Sequence, residues 1–138
     1  MRYSHYLPKA PLNEHIELFW QFADWDLPHH RERVLPAGTM ELVIDLSPIN
    51  PTLPAPLLSG VYSQPSTIGI APQTSLLGVH FKAGGTFPFL PAPASELHNQ
   101  RVTLDEFWGM EAAQLREQLL AQTSVKARFA TLERFLLL

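Results

Sequence analysis

The chain has 138 residues and a formal net charge of −3, with 46% hydrophobic and 17% charged residues. This length predicts a single domain, residues 1–138, that is large enough for a hydrophobic core, and the composition excludes a disordered chain. The net charge excludes the broad basic surface of a protein that binds nucleic acid by itself.

Residues 1–83 show the alternation of apolar and polar residues that is typical of strands. This pattern predicts three longer strands, at residues 17–23, 40–46 and 77–82, and two shorter ones, at 57–62 and 67–70. Turn residues and a proline-rich connection at 48–56 separate these segments. Several short strands with turns between them predict a small β-barrel or sandwich, which we describe as cupin-like.

Residues 84–138 change to a mainly helical pattern. Thr103 and Glu106 fit a capping box that would start a helix, and residues 110–122 predict a second helical segment. Ser124 is the expected N-cap of a third, amphipathic helix, which places Val125, Phe129, Leu132 and Leu136 on one stripe. Strands followed by helices predict an α+β domain with a C-terminal helical segment.

The absence of cysteine excludes a disulfide framework, a thiolate metal cluster and a cysteine nucleophile, and it predicts a cytoplasmic protein. We find no signal peptide and no apolar run of about 18 residues, so no membrane partner is expected.

Six histidines raise the possibility of a metal site, but their spacing argues against it. His29 and His30 are adjacent, so on an extended chain their rings point in opposite directions, and His80 stands alone on the polar face of its strand. Glu41 and Asp45 are too far apart on one strand to act as a paired acid and base, and we interpret them as outward-facing charges. The sequence also lacks a nucleophile elbow, a P-loop and a dinucleotide fingerprint. We therefore predict no metal, no cofactor and no catalytic residue.

Two stretches carry a family resemblance: RVLPAGTMELVIDL at residues 33–46 and LGVHFKAGG at 77–85. The second is followed by PASEL at 93–97 and VTLDEFWG at 102–109. With IELFW at 16–20, their order and spacing resemble the N-terminal domain of a subgroup of AraC/XylS-type bacterial transcriptional regulators. The chain departs from that pattern at Ala37, at Thr39 and at residues 80–83.

The resemblance implies a regulatory domain that senses a small effector or forms a homodimer through its C-terminal helices. It also implies a downstream helix-turn-helix domain, absent from this chain, through which alone DNA would be contacted. The helical pattern that runs to Leu138 without a closing glycine is consistent with such a continuation. Two alternatives remain open: a dimerisation module without a ligand, and a cupin-type metal-dependent enzyme.

Candidate effector-pocket residues follow from strand position and residue type. They are Trp20, Phe22, Glu41, Val43, His80 and Phe81. The aromatic residues among them are equally suited to an ordinary hydrophobic core.

Overall fold

The computed structural model describes residues 2–25, 31–34, 39–47, 56–60, 66–69, 74–83, 85–86, 88–89 and 100–137. Within these ranges the strands are β1 (Arg2–Tyr6), β2 (Ile16–Trp25), β3 (Arg31–Val34), β4 (Glu41–Asp45), β5 (Leu57–Ser59), β6 (Ser66–Gly69), β7 (Thr74–Phe81) and β8 (Arg101–Thr103). The helices are α1 (Asp105–Trp108), α2 (Met110–Leu120) and α3 (Val125–Leu136), and a short 3-10 turn lies at Leu12–Glu14.

Six of these strands form one antiparallel sheet in the order β1-β2-β7-β4-β5-β8, and β3 pairs with β6 in a second sheet. The predicted α+β class is confirmed, since the sheet is followed by C-terminal helices. β8 is the one described strand in the half of the chain that was predicted to be mainly helical. It pairs with β5, and its place at the sheet edge fixes the start of the helical segment.

The hydrophobic core lies between the large sheet and helices α2 and α3. We call the sheet surface that carries Phe19, Leu42, Ile44, Leu77 and Val79 the helix face; all five are at most 1% exposed. The same core cluster includes Leu115 and Leu119 from α2 and Phe129, Leu132 and Leu136 from α3. Full burial of side chains of this size contributes about 1.5–3 kcal/mol each, so this layer dominates the stability of the domain.

The two predicted helix starts have different outcomes. Ser124 caps α3 as expected, because its hydroxyl accepts a hydrogen bond from the Ala127 amide at 3.1 Å. The predicted capping box is wrong: Thr103 belongs to β8, and α1 begins after Leu104 with no side-chain cap. Pairing of residue 103 with β5 holds its backbone in the sheet and prevents it from capping the helix.

The link between α1 and α2 depends on one glycine. Gly109 has a φ of 58°, in the region that other residues rarely adopt, and its amide closes α1 by donating to the Asp105 carbonyl. None of the described helices is long and apolar enough to cross a membrane.

Several sequence predictions fall outside the described residues. They concern Pro48, Pro51 and Pro54 of the proline-rich connection, the turn at 36–38, His29 and His30, Gly84, the motif at 93–97 and the chain end at Leu138.

Candidate functional site

Five of the six predicted pocket residues lie together on the sheet surface opposite the helix face. Antiparallel pairing sets Trp20 opposite Gly78, Gly78 opposite Val43, and His80 opposite Glu41. Directly opposed residues in a sheet point to the same side, and residues two apart on a strand do so as well. We call this surface the Trp20 face, defined by Trp20, Phe22, Glu41, Val43 and His80 around Gly78. All five side chains are half-buried.

A glycine in the centre of β7 allows the indole of Trp20 to lie flat on the sheet. A Cβ placed at Gly78 would be 2.1 Å from Cε2 and Cζ2 of Trp20 and 2.6 Å from its Nε1. Carbon atoms in contact are normally about 3.5–4.0 Å apart, so no other residue fits here without displacing the ring. One side of the indole therefore rests on the backbone of the central strand.

Aromatic rings extend this surface across β2 and β1. The centroid of Phe22 lies 5.4 Å from that of Trp20, and Tyr3 lies 4.9 Å from Phe22. Both pairs are tilted, an arrangement in which aromatic rings attract one another beyond their simple burial. Tyr3 is 51% exposed, so the aromatic wall reaches solvent at the edge of the sheet.

Glu41 and His80 form a polar pair beside the indole. Nδ1 of His80 donates to Oε1 of Glu41 at 2.6 Å, and the two side chains are 30% and 31% exposed. Nε2 of His80 lies 3.3 Å from the hydroxyl of Thr39, which holds the other edge of the imidazole. The expectation that His80 stands alone is wrong, because the pairing of β4 with β7 brings Glu41 opposite to it.

Burial raises the pKa of the Glu41 carboxyl above its ordinary value of 4.5, and hydrogen bonds from His80 and Trp20 oppose that shift. The His80 imidazole opposes the shift both as a hydrogen-bond donor and by electrostatic attraction, and the Trp20 indole opposes it as a donor. A carboxylate offers about four acceptor positions, and within the described part of the chain these two donors fill two of them.

Phe81 does not belong to this group. It pairs with Ile16, lies on the helix face and is 3% exposed. Its ring contacts Phe89 with a centroid distance of 5.7 Å, inside the hydrophobic core. Its role in the described structure is core packing.

Asp45 also differs from its interpretation as an outward-facing charge. It shares the Trp20 side of β4 with Glu41, but it is fully buried. Its carboxylate accepts hydrogen bonds from both the backbone amide and the hydroxyl of Ser47. The Ser47 hydroxyl in turn accepts from the Ser75 amide at 3.0 Å, so this cluster ties the end of β4 to β7.

The strands that carry the Trp20 face also contact the helices directly. Gln21 lies between Trp20 and Phe22 in β2, points to the helix face and accepts a 3.4 Å hydrogen bond from Arg128 of α3. On β4, the carbonyl of Asp45 accepts from Nε of Arg116 in α2 at 3.1 Å. Burial lowers the pKa of the Arg128 guanidinium, and its Nε is buried with no hydrogen-bond partner in the described part of the chain.

A second concavity of about 1040 Å³ lies on the helical side. Its apolar wall includes Leu12, Phe89, Trp108 and Phe135. Trp108 anchors this wall, since its indole N–H donates to the Phe89 carbonyl at 2.8 Å and its ring lies 5.3 Å from Phe135. The sequence signals this aromatic cluster, but it does not indicate that a groove lies beside it.

Two contributors to the Trp20 face were missed as functional candidates, namely Gly78 and Thr39. A glycine inside a predicted strand is a signal of close approach by another group, and it was available in the sequence. The contact of Thr39 with His80 joins residues 41 positions apart and depends on the sheet register. Among the side chains that the structure describes, no three His, Asp or Glu residues are grouped closely enough to hold a metal ion.

Comparison with known proteins gives one match. The family model described as a domain of unknown function (DUF6597) matches residues 4–103, which contain strands β2 to β8 and the last three residues of β1. No curated protein and no solved structure matches the chain.

Proposed function

The chain belongs to the DUF6597 family, whose function is not known, and from this premise we propose that it is the non-catalytic, N-terminal sensing domain of an AraC-type bacterial transcription factor. It binds a small effector on the Trp20 face and controls a downstream helix-turn-helix domain in the cytoplasm. The sequence resemblance at residues 16–20, 33–46 and 77–109 is the reason for proposing an AraC-type regulator. The geometry of the Trp20 face supports the sensing role.

The observation that carries this proposal is the convergence of five side chains from β2, β4 and β7 around the backbone of Gly78. An apolar surface with a few fixed polar groups is the usual character of small-ligand sites. Here Trp20 and Phe22 provide the apolar surface, and Glu41 and His80 provide the oriented polar groups.

The contacts between the sheet and the helices support a route from effector to output. β2 carries Trp20 on one face and Gln21, which contacts Arg128, on the other. An effector that binds one arrangement of this layer more tightly shifts the population toward that arrangement. The helices would then present a different surface to the DNA-binding part or to a second subunit.

A library of aromatic, apolar and charged small molecules tests the sensing role. Protein labelled with 5-fluorotryptophan gives one ¹⁹F resonance for each tryptophan, and the Trp20→Phe variant assigns that of Trp20. A ligand at a hundredfold excess over its Kd stabilises the fold by about 2.7 kcal/mol, which raises the Tm by roughly 8 °C in a domain of this size. We expect at least one compound to raise the Tm and move the Trp20 resonance. A library in which no compound does either removes the basis for sensing.

Dimerisation without a ligand is the second candidate, and exposed apolar residues on the helical side favour it. Met110 is 81% exposed, Leu120 39% and Leu137 51%. Light scattering at several protein concentrations separates the two candidates. A dimer that dissociates in a Leu137→Glu variant, with no response to any compound, would favour the dimerisation module. A monomer throughout would count against it.

A further inference from the structure

We propose that the effector is an organic cation, a protonated amine with an attached apolar group, held between the Glu41 carboxylate and the outer side of the Trp20 indole. This inference rests on the proposed sensing function and specifies its ligand class.

The first argument is the hydration of Glu41. A ligand that covers the Trp20 face displaces water from a carboxylate that is already mostly buried, with 31% of its side chain exposed. Removing water from a charged group is costly unless another group replaces the lost interactions. Among the described residues, His80 and Trp20 supply two of about four possible hydrogen bonds. A protonated amine supplies both the missing hydrogen bond and the opposite charge.

The second argument is the orientation of the indole. Since the inner side of the Trp20 ring rests on Gly78, a ligand on this face would contact the outer side of the half-buried indole, next to Glu41. The face of an indole carries partial negative charge and attracts cations more strongly than a phenyl or phenol ring does. The two groups therefore favour the same ligand charge, and Phe22 adds an apolar surface at 5.4 Å for the rest of the ligand.

The third argument is the distribution of the other charges near this face. In the cluster of Trp20, His80 and Glu41, the acidic group is the Glu41 carboxylate, which lies 2.6 Å from Nδ1 of His80. Two basic residues of the described chain lie toward the rim: Lys82, just past the end of β7, and Arg101 on β8, and both are exposed to water. Solvent screens their charges, whereas the Glu41 carboxylate acts in a half-buried environment. An anionic ligand over the indole would be repelled by Glu41.

Three probes of similar shape separate the charge classes: phenethylamine as the cation, phenethyl alcohol as the neutral compound and hydrocinnamate as the anion. Each is titrated into the 5-fluorotryptophan-labelled protein at neutral pH, and the Kd is taken from the Trp20 resonance. A charge-assisted hydrogen bond predicts that phenethylamine binds about ten- to a hundredfold more tightly than phenethyl alcohol, and hydrocinnamate binds most weakly.

The Glu41→Gln variant should remove the charge preference, so that phenethylamine binds no more tightly than phenethyl alcohol. Urea unfolding followed by circular dichroism shows that the variant is folded. The Glu117→Gln variant on the exposed side of α2 makes the same change in net charge and is the matched control; it should leave all three affinities unchanged.

The outcomes separate this inference from the function it rests on. Equal or tighter binding of the neutral or anionic probe at Trp20 overturns the cation class and leaves the sensing role standing. A Glu41→Gln variant that keeps the preference for phenethylamine also overturns it. If no probe moves the Trp20 resonance, the cation class is overturned, and the wider library decides the sensing role separately.

Discussion

The Gly78→Ala substitution tests the geometry on which the Trp20 face depends. The added Cβ would lie 2.1 Å from two carbon atoms of the Trp20 ring, so the indole must move outward by about 1.5 Å to restore normal contact. Overpacking of this kind costs about 1–3 kcal/mol. Replacing a strand glycine by alanine returns about 0.5–1 kcal/mol. We therefore expect a net loss of up to about 2.5 kcal/mol in the free energy of unfolding.

A double-mutant cycle isolates the clash from the general effect of the alanine. In a Trp20→Ala background there is no ring to displace, so Gly78→Ala should be neutral or stabilising by up to about 1 kcal/mol. The coupling energy between the two substitutions is then about 1–3 kcal/mol, the overpacking term itself. The free energies of unfolding of the unmodified chain, the two single variants and the double variant are measured by urea titration followed by circular dichroism. This readout does not rely on tryptophan emission.

A second readout follows the ring itself. Gly78→Ala should shift the Trp20 ¹⁹F resonance strongly and leave that of Trp108, which is anchored by Phe89 on the other side of the sheet, in place. A coupling energy near zero, or an unchanged Trp20 resonance, would refute the stacking of the indole on the central strand.

Three further predictions concern the helices and the buried carboxylate. Leu132→Ala, at a fully buried position in α3, should lower the free energy of unfolding by about 2–5 kcal/mol in urea titrations, and a loss below about 1 kcal/mol would contradict the packing of α3 on the sheet. Ser124→Ala removes the cap of α3 and should cost about 0.5–2 kcal/mol, whereas Ser124→Asp keeps an acceptor and should cost little; equal losses in both would argue against the cap. Burial raises the pKa of the Glu41 carboxyl in the folded state above 4.5, so protonation of this carboxyl favours the folded state. The stability that the protonated carboxyl contributes is present at low pH, and it is lost as the pH rises through the folded-state pKa. Urea unfolding across this pH range should therefore show a smaller loss of stability with rising pH for Glu41→Gln than for the unmodified chain, and identical pH profiles would contradict the burial of this carboxyl.

Sequence alternation predicted five of the eight described strands and the two longer helices, because a half-buried strand and an amphipathic helix each impose a period on the chain. Strands β1, β3 and β8 were not predicted. The alternation along β7 also places Phe81 and His80 on opposite sides of the sheet. Leu77, Val79 and Phe81 share one side of β7, and Gly78 and His80 share the other. The prediction of Phe81 as a pocket residue was inconsistent with this alternation, and in the structure the alternation holds.

Features that depend on pairing between distant strands could not be predicted in this way. The Glu41–His80 pair joins residues 39 positions apart and requires the register of β4 against β7. The failed capping box at Thr103 has the same origin, since its local signal competes with the pairing of β8 and β5. Burial of Asp45 likewise depends on Ser47 and on the neighbouring strand, which no local pattern of charges reveals.

The most direct test of the account is the ¹⁹F spectrum of the 5-fluorotryptophan-labelled protein during titration with the small-molecule library. The account predicts that a binding compound moves the Trp20 resonance in a saturable manner, raises the Tm, and loses its effect in the Gly78→Ala variant. Compounds that raise the Tm while moving only the Trp108 resonance would place the ligand on the helical side and contradict a site on the Trp20 face.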